Sequence, residues 1–143
     1  MLIIFLVIFI SGCNEEENQY ELIYNYVKNN ETILREVTSN INKTNEIEED
    51  DIINKLPKDI NIVQIYKSEQ YNYIDFGVDE GFTSTSHYYG FYYSDLDEHI
   101  NISGVAGEKQ EYNNGFKWQI EGNEDFSYVE KIIDNFYYYE AHF

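Results

Sequence analysis

The residues best suited to chemistry, by type and spacing, are the histidines His87, His99 and His142 and the acidic run Asp95-Leu96-Asp97-Glu98. No two histidines stand one helical turn apart, as a helical zinc protease site requires, and the single cysteine is remote from them in sequence. His87 and His142 both sit in aromatic, strand-like stretches, so only the fold decides whether they meet. The plainer reading is solvent-facing or hydrogen-bonded imidazoles. Asp95, Asp97 and Glu98 are weak candidates for a cation, because the run lacks the central glycine and distal glutamate of a calcium loop. Glu46, Glu48, Glu49, Asp50 and Asp51 are equally well explained as a charged first helical turn. Ser84 and Ser86 have no glycine-flanked elbow that would activate a hydroxyl, and no glycine loop is built to cradle phosphate. With 27 acidic residues, no single pair stands out as the two carboxylates of a glycosidase. The expectation is therefore no catalytic residue, no resident metal and no cofactor.

The charge balance narrows the partners. Twenty-seven acidic residues against 9 basic give a formal net charge of -18, and none of the charged side chains lies between residues 1 and 12. Such a field repels nucleic-acid phosphates and anionic headgroups and attracts cations and basic peptides. Simple solubility of an exported domain explains the same excess. At 143 residues and 43% apolar content, one domain with a real core is expected, and a lone cysteine excludes an internal disulfide.

The N-terminus suggests a location. Leu2 to Ile10 is an unbroken apolar run, too short for the roughly 20 residues of a bilayer-spanning helix. It has the length of a secretory signal's hydrophobic segment. Ile10-Ser11-Gly12-Cys13 follows and resembles a bacterial lipobox. The resemblance is to bacterial lipoproteins and covers only this segment. It implies a diacylglyceryl group on the Cys13 thiol, cleavage after Gly12, and a mature chain held at the outer face of the cell membrane. One departure from the family pattern is that only the α-amino group of Met1 supplies positive charge before the run; either the run is read without it or the true start lies upstream. The competing reading is a buried N-terminal strand that happens to precede a cysteine. Residues 13–19 contain Glu15, Glu16 and Glu17 and read as an acidic tether, with one domain over 20–143.

The elements that must position these residues read as α+β: one or two N-terminal helices on an antiparallel meander of about six strands. Ile23, Tyr26, Val27, Leu34, Val37 and Ile41 form one helical face, interrupted at Asn29-Asn30. A second helix is expected from Asn45, as its cap, to Leu56. Ile60–Tyr66 and Tyr71–Val78 read as a hairpin, Thr83–Ser94 as an aromatic strand, and Asn114-Gly115 as a tight turn before Phe116-Lys117-Trp118. The last segment fits both a helix capped by Ser127 and a hairpin turning at Asp134-Asn135; the hairpin is preferred because Phe136 to Tyr139 are strong strand formers. The pairing of YYGFYYS, residues 88–94, with DNFYYYEAHF, residues 134–143, is similar to small uncharacterised proteins of Gram-positive bacteria, a resemblance that carries no activity.

Aromatic content of 17%, mostly tyrosine, is the remaining functional lead. Tyr88, Tyr92 and Tyr138 are expected on one face, opposite Tyr89, Tyr93, Tyr137 and Tyr139. That face is either an exposed patch for gripping a peptide or stacking on sugars, or simply covered. The leading functional expectation is a non-enzymatic, lipid-anchored binding module for a cationic peptide or cell-wall ligand. The alternatives are a small envelope hydrolase using paired carboxylates and an immunity-type accessory lipoprotein.

Overall fold

The computed structural model describes residues 18–44, 48–79 and 86–143. The lipobox, the acidic stretch up to Glu17, the expected cap Asn45 and the start of the expected aromatic strand lie outside the described residues. Three helices, α1 (Gln19–Asn29), α2 (Glu31–Lys43) and α3 (Glu49–Lys55), precede the strands β1 (Ile62–Ser68), β2 (Tyr73–Val78), β3 (His87–Ser94), β4 (Glu108–Tyr112), β5 (Gly115–Gln119), β6 (Phe126–Ile133) and β7 (Phe136–His142). Among the described residues no helix is long and apolar enough to cross a membrane.

Helix α1 starts where the Asn18 side chain accepts from the Tyr20 amide at 3.1 Å, so Gln19 belongs to the helix rather than to a tether. The interruption at Asn29-Asn30 is real. The Asn30 amide and side chain both donate to the Tyr26 carbonyl, at 3.0 and 2.9 Å, closing α1 before α2 begins. Helix α3 is shorter than expected and buries no residue of its own. Ile52 and Ile53 are half-buried, and Leu56, just past its end, is buried. Its Glu49 carboxylate accepts from the Ile65 amide at 2.7 Å, occupying a donor of edge strand β1.

The sheet is antiparallel throughout, but it is not a plain meander of about six strands. Seven strands run in the order β1-β2-β3-β7-β6-β5-β4. Two meanders are therefore joined at the β3–β7 ladder, and the chain between Ser94 and Glu108 must cross the sheet to reach its far edge. The C-terminal hairpin forms as read, turning at Asn135 with φ 69°. The other tight turn sits one residue earlier than expected. Asn113 has the positive φ, 51°, and Gly115 already pairs with Tyr112. A Cβ on Gly115 would lie 2.0 Å from the Val129 carbonyl oxygen, so that glycine is required by close strand approach rather than by the turn.

Helices α1 and α2 cover one face. Ile23, Tyr26, Val27, Leu34 and Ile41 pack on Ile74, Phe76, Phe91, Phe136 and Tyr138 in the main core. Phe76 and Phe91, cross-strand partners, stack with centroids 4.7 Å apart, and both are fully buried. Phe91→Ala should lower the unfolding free energy by about 3–5 kcal/mol in a urea titration. A loss below about 1 kcal/mol would mean that the helices do not seal this face.

Candidate functional site

Alternation along β3 sorts its residues as read: Tyr89, Phe91 and Tyr93 face the helices, and Tyr88, Gly90 and Tyr92 face away. The assignment of Tyr138 is corrected. The register pairs Phe91 with Tyr138 and Tyr92 with Tyr137, so Tyr138 lies under the helices while Tyr137 and Tyr139 share the second face with Tyr88 and Tyr92. Of the three tyrosines expected on a ligand patch, Tyr92 and Tyr138 are buried and only Tyr88 is exposed.

Half of this second face is closed by the crossing segment. Tyr92 stacks on Tyr137 at 5.1 Å, and both join Tyr73, Trp118, Val129 and Tyr139 in a second core. Ile100 and Ile102 pack down on this cluster, and the His99 ring meets Phe116 and Tyr137 edge-on at 4.7 and 4.9 Å. The Tyr92 hydroxyl donates to the Glu98 carbonyl at 3.1 Å and accepts from the Ile100 amide at 2.8 Å. Burial pushes the Tyr92 hydroxyl well above the usual tyrosine range and lowers His99 below the usual histidine value.

Asp97 clamps the segment. With φ at 54°, its carboxylate accepts from Lys131 Nζ at 2.6 Å, the Asn135 amide at 2.7 Å and the Tyr137 hydroxyl at 2.8 Å. The Lys131 bond above all, with the other two donors, holds this carboxyl down to about 2. Asp95 instead accepts from the Asn42 side chain on α2 at 3.0 Å. The weak cation candidates Asp95, Asp97 and Glu98 are thus not aimed at a common point; two of them hold separate protein partners. Among the described residues no group of three potential ligands converges.

Among the described residues nothing covers the second face at Tyr66 on β1 or at the β3 end around Tyr88. Tyr66 and Gln64 on β1 pair with Asp75 and Gly77 on β2, and Tyr88 and Phe143 stand at the other end, edge-on at 5.7 Å. Tyr66, Tyr88 and Phe143 are each about half exposed, at 51%, 52% and 52%. From strand spacing and rise, Tyr66 and Tyr88 are roughly 16 Å apart, an extended aromatic strip. Between them the Tyr139 ring lies against Gly90, where a Cβ would meet it at 2.6 Å and the Phe76 carbonyl oxygen at 2.5 Å. Gly90 thus marks a close crossing, one of the two readings its place in a strand allows.

Beneath this strip lies a titratable acid that pattern reading passed over. The Tyr139 hydroxyl and the Phe76 amide donate to the Asp75 carboxylate, yet its Oδ1 is buried without a hydrogen-bond partner. Burial pushes the Asp75 carboxyl up to about 7 against those two bonds, and pushes the Tyr139 hydroxyl upward as well. The available signal was an aspartate alternating with apolar residues in a strand, Tyr73-Ile74-Asp75-Phe76. Glu140 is also raised by burial, but it pairs with Tyr89 on the helix-covered face. The two raised carboxyls therefore stand on opposite sides of the sheet and make no catalytic pair. His87 and His142, by contrast, are brought together as cross-strand partners with ring centroids 4.3 Å apart.

No protein-family model matches the chain, and searches of curated proteins and of solved structures likewise give no match.

Folded Asp75 keeps its proton to about pH 7, whereas the unfolded chain releases it near pH 4. Its contribution to stability is therefore full below about pH 4 and is lost as pH rises through about 7. Urea melts should show wild type losing more stability than Asp75→Asn over that window, by on the order of 1–3 kcal/mol. Parallel pH profiles for the two proteins would contradict the burial of this acid.

Proposed function

We propose that the chain is a binding module, held by lipid on Cys13 at the outer face of the cell membrane, that takes a cationic peptide on the open half of its second sheet face. The observation that carries the reading is the aromatic strip itself: Tyr66, Tyr88 and Phe143 are exposed on one face, where the neighbouring half of the same face is sealed. Exposed large apolar side chains gathered on one side of a sheet are the usual mark of a docking surface. Tyrosine suits that role because its ring buries area at low entropic cost while its hydroxyl stays wet.

Charge selects the partner class. A net charge of -18 draws a basic peptide toward the domain, and the Asp75 carboxyl beneath the strip gains from a cation placed over it. The same field works against adhesion to an anionic membrane, so attachment relies on the acyl chains on Cys13 and Gly12 marks the cut that frees its amine. A partner that neutralises part of this charge is bound more weakly as salt rises.

The experiment uses an oligolysine peptide containing tryptophan as the probe. Binding to the full chain should weaken at least tenfold between low and physiological salt. It should weaken again in the Tyr66→Ser/Tyr88→Ser double variant. Equal affinity in that variant would remove the strip from the interface, and salt-independent binding would contradict a partner selected by charge. Separately, metabolic labelling with palmitate should mark wild type and not Cys13→Ala; label retained by the variant would refute the anchor.

A further inference from the structure

We propose that His87 and His142 form a two-histidine chelate for a divalent late transition ion such as Zn2+, Ni2+ or Cu2+. The two residues are register partners across the β3–β7 ladder. The Phe143 amide donates to the Ser86 carbonyl at 3.0 Å, and the Ser94 amide to the Asn135 carbonyl at 2.8 Å. Hydrogen-bonded and non-hydrogen-bonded pairs alternate along an antiparallel ladder. Counting inward from either end makes 87/142 a non-hydrogen-bonded pair, the kind whose side chains stand closest. The rings accordingly approach to 4.3 Å between centroids with planes inclined at 48°.

One ring has its second nitrogen engaged, as metal binding favours. His142 Nδ1 lies 3.2 Å from the Glu124 carbonyl oxygen, which can only accept, so in the neutral ring Nδ1 donates there and Nε2 is the nitrogen left for a metal. Metal-bound histidines are held in this way by a carbonyl or carboxylate on the second nitrogen. Phe126 stacks on His142 at 5.9 Å and Tyr89 on His87 at 6.2 Å, limiting the rings' rotation. Glu140 pairs with Tyr89 on the same sheet face as both imidazoles, where an acidic side chain favours a dication. Lys117 is the nearby opposing cation, and it is drawn over the Phe126 ring at 4.7 Å. Imidazole pairs prefer borderline, late first-row ions over Mg2+ or Ca2+. With no third ligand converging among the described residues, solvent completes the coordination, and the site binds reversibly rather than holding the fold together. It lies on the opposite sheet face from Tyr88 and Phe143, so it stands or falls independently of the peptide surface.

The test titrates Zn2+ into the full-length chain in detergent, with excess Mg2+ present to occupy the surface carboxylates. One Zn2+ should bind per chain, and the imidazole NMR signals of His87 and His142 should shift together while those of His99 stay fixed. His87→Gln and His142→Gln should each weaken binding by at least the roughly ten- to hundredfold that loss of a supporting partner costs at a metal site. Ring signals of His87 and His142 that ignore Zn2+, or that respond no more than His99, overturn the proposal even if a variant misfolds. Unchanged affinity in both folded variants overturns it as well.

Discussion

The carboxylate of Asp97 holds the second face of this sheet half closed. Helices α1 and α2 cover one side of the sheet, as amphipathic helices do, but among the described residues no other helix of that size packs on the opposite side. A single connection, from Asp95 to Gly107, must cross from the centre of the sheet to its far edge. It seals Tyr92, Tyr137 and Trp118 on the way. Three donors from the β6–β7 hairpin converge on Asp97 and fix where that crossing begins. A charge-assisted bond is about twice as strong as a neutral one, and Lys131 supplies it here. Beyond the crossing, β1 and the start of β3 are left with exposed tyrosine, Tyr66 and Tyr88.

This division explains why the tyrosines differ so sharply in environment. Tyr92 and Tyr137 lie under the crossing segment and spend their hydroxyls on its backbone and on Asp97. Tyr138 lies under α1, edge-on to Tyr20 at 5.1 Å. Tyr66 and Tyr88 have no such cover among the described residues and are half exposed. The same residue type thus serves as core, as clamp partner and as exposed surface, depending only on which strand row and which end of the sheet it occupies. Asp75 belongs to the boundary between the halves, where its Oδ1 is buried without a hydrogen-bond partner and burial pushes the carboxyl upward.

Much of the fold was legible from periodicity: the break at Asn30, the β1–β2 hairpin, the aromatic strand ending at Ser94 and the C-terminal hairpin. The strand count fell short of seven: the tight hairpin turn marks where the strand before it ends, but Glu108–Tyr112 is wholly exposed and highly charged and carries no burial pattern to delimit it. The candidate surface was half legible. Period-two alternation assigns each strand two faces, but which face of β7 joins which face of β3 depends on register, and a one-residue shift exchanges Tyr137 and Tyr138. Asp97 looked like a cation ligand because its sequence neighbours are acidic, whereas its partners Lys131, Asn135 and Tyr137 arrive from far along the chain. The meeting of His87 with His142 depended on the same non-local pairing.

The most direct test of the half-covered sheet is residue-resolved tyrosine footprinting of the free protein, by brief nitration and mass spectrometry. Tyr66 and Tyr88 should be modified rapidly and Tyr92 and Tyr137 scarcely at all. Modification of Tyr92 and Tyr137 as fast as of Tyr66 and Tyr88 would show that the crossing segment does not divide the face, and would contradict the account.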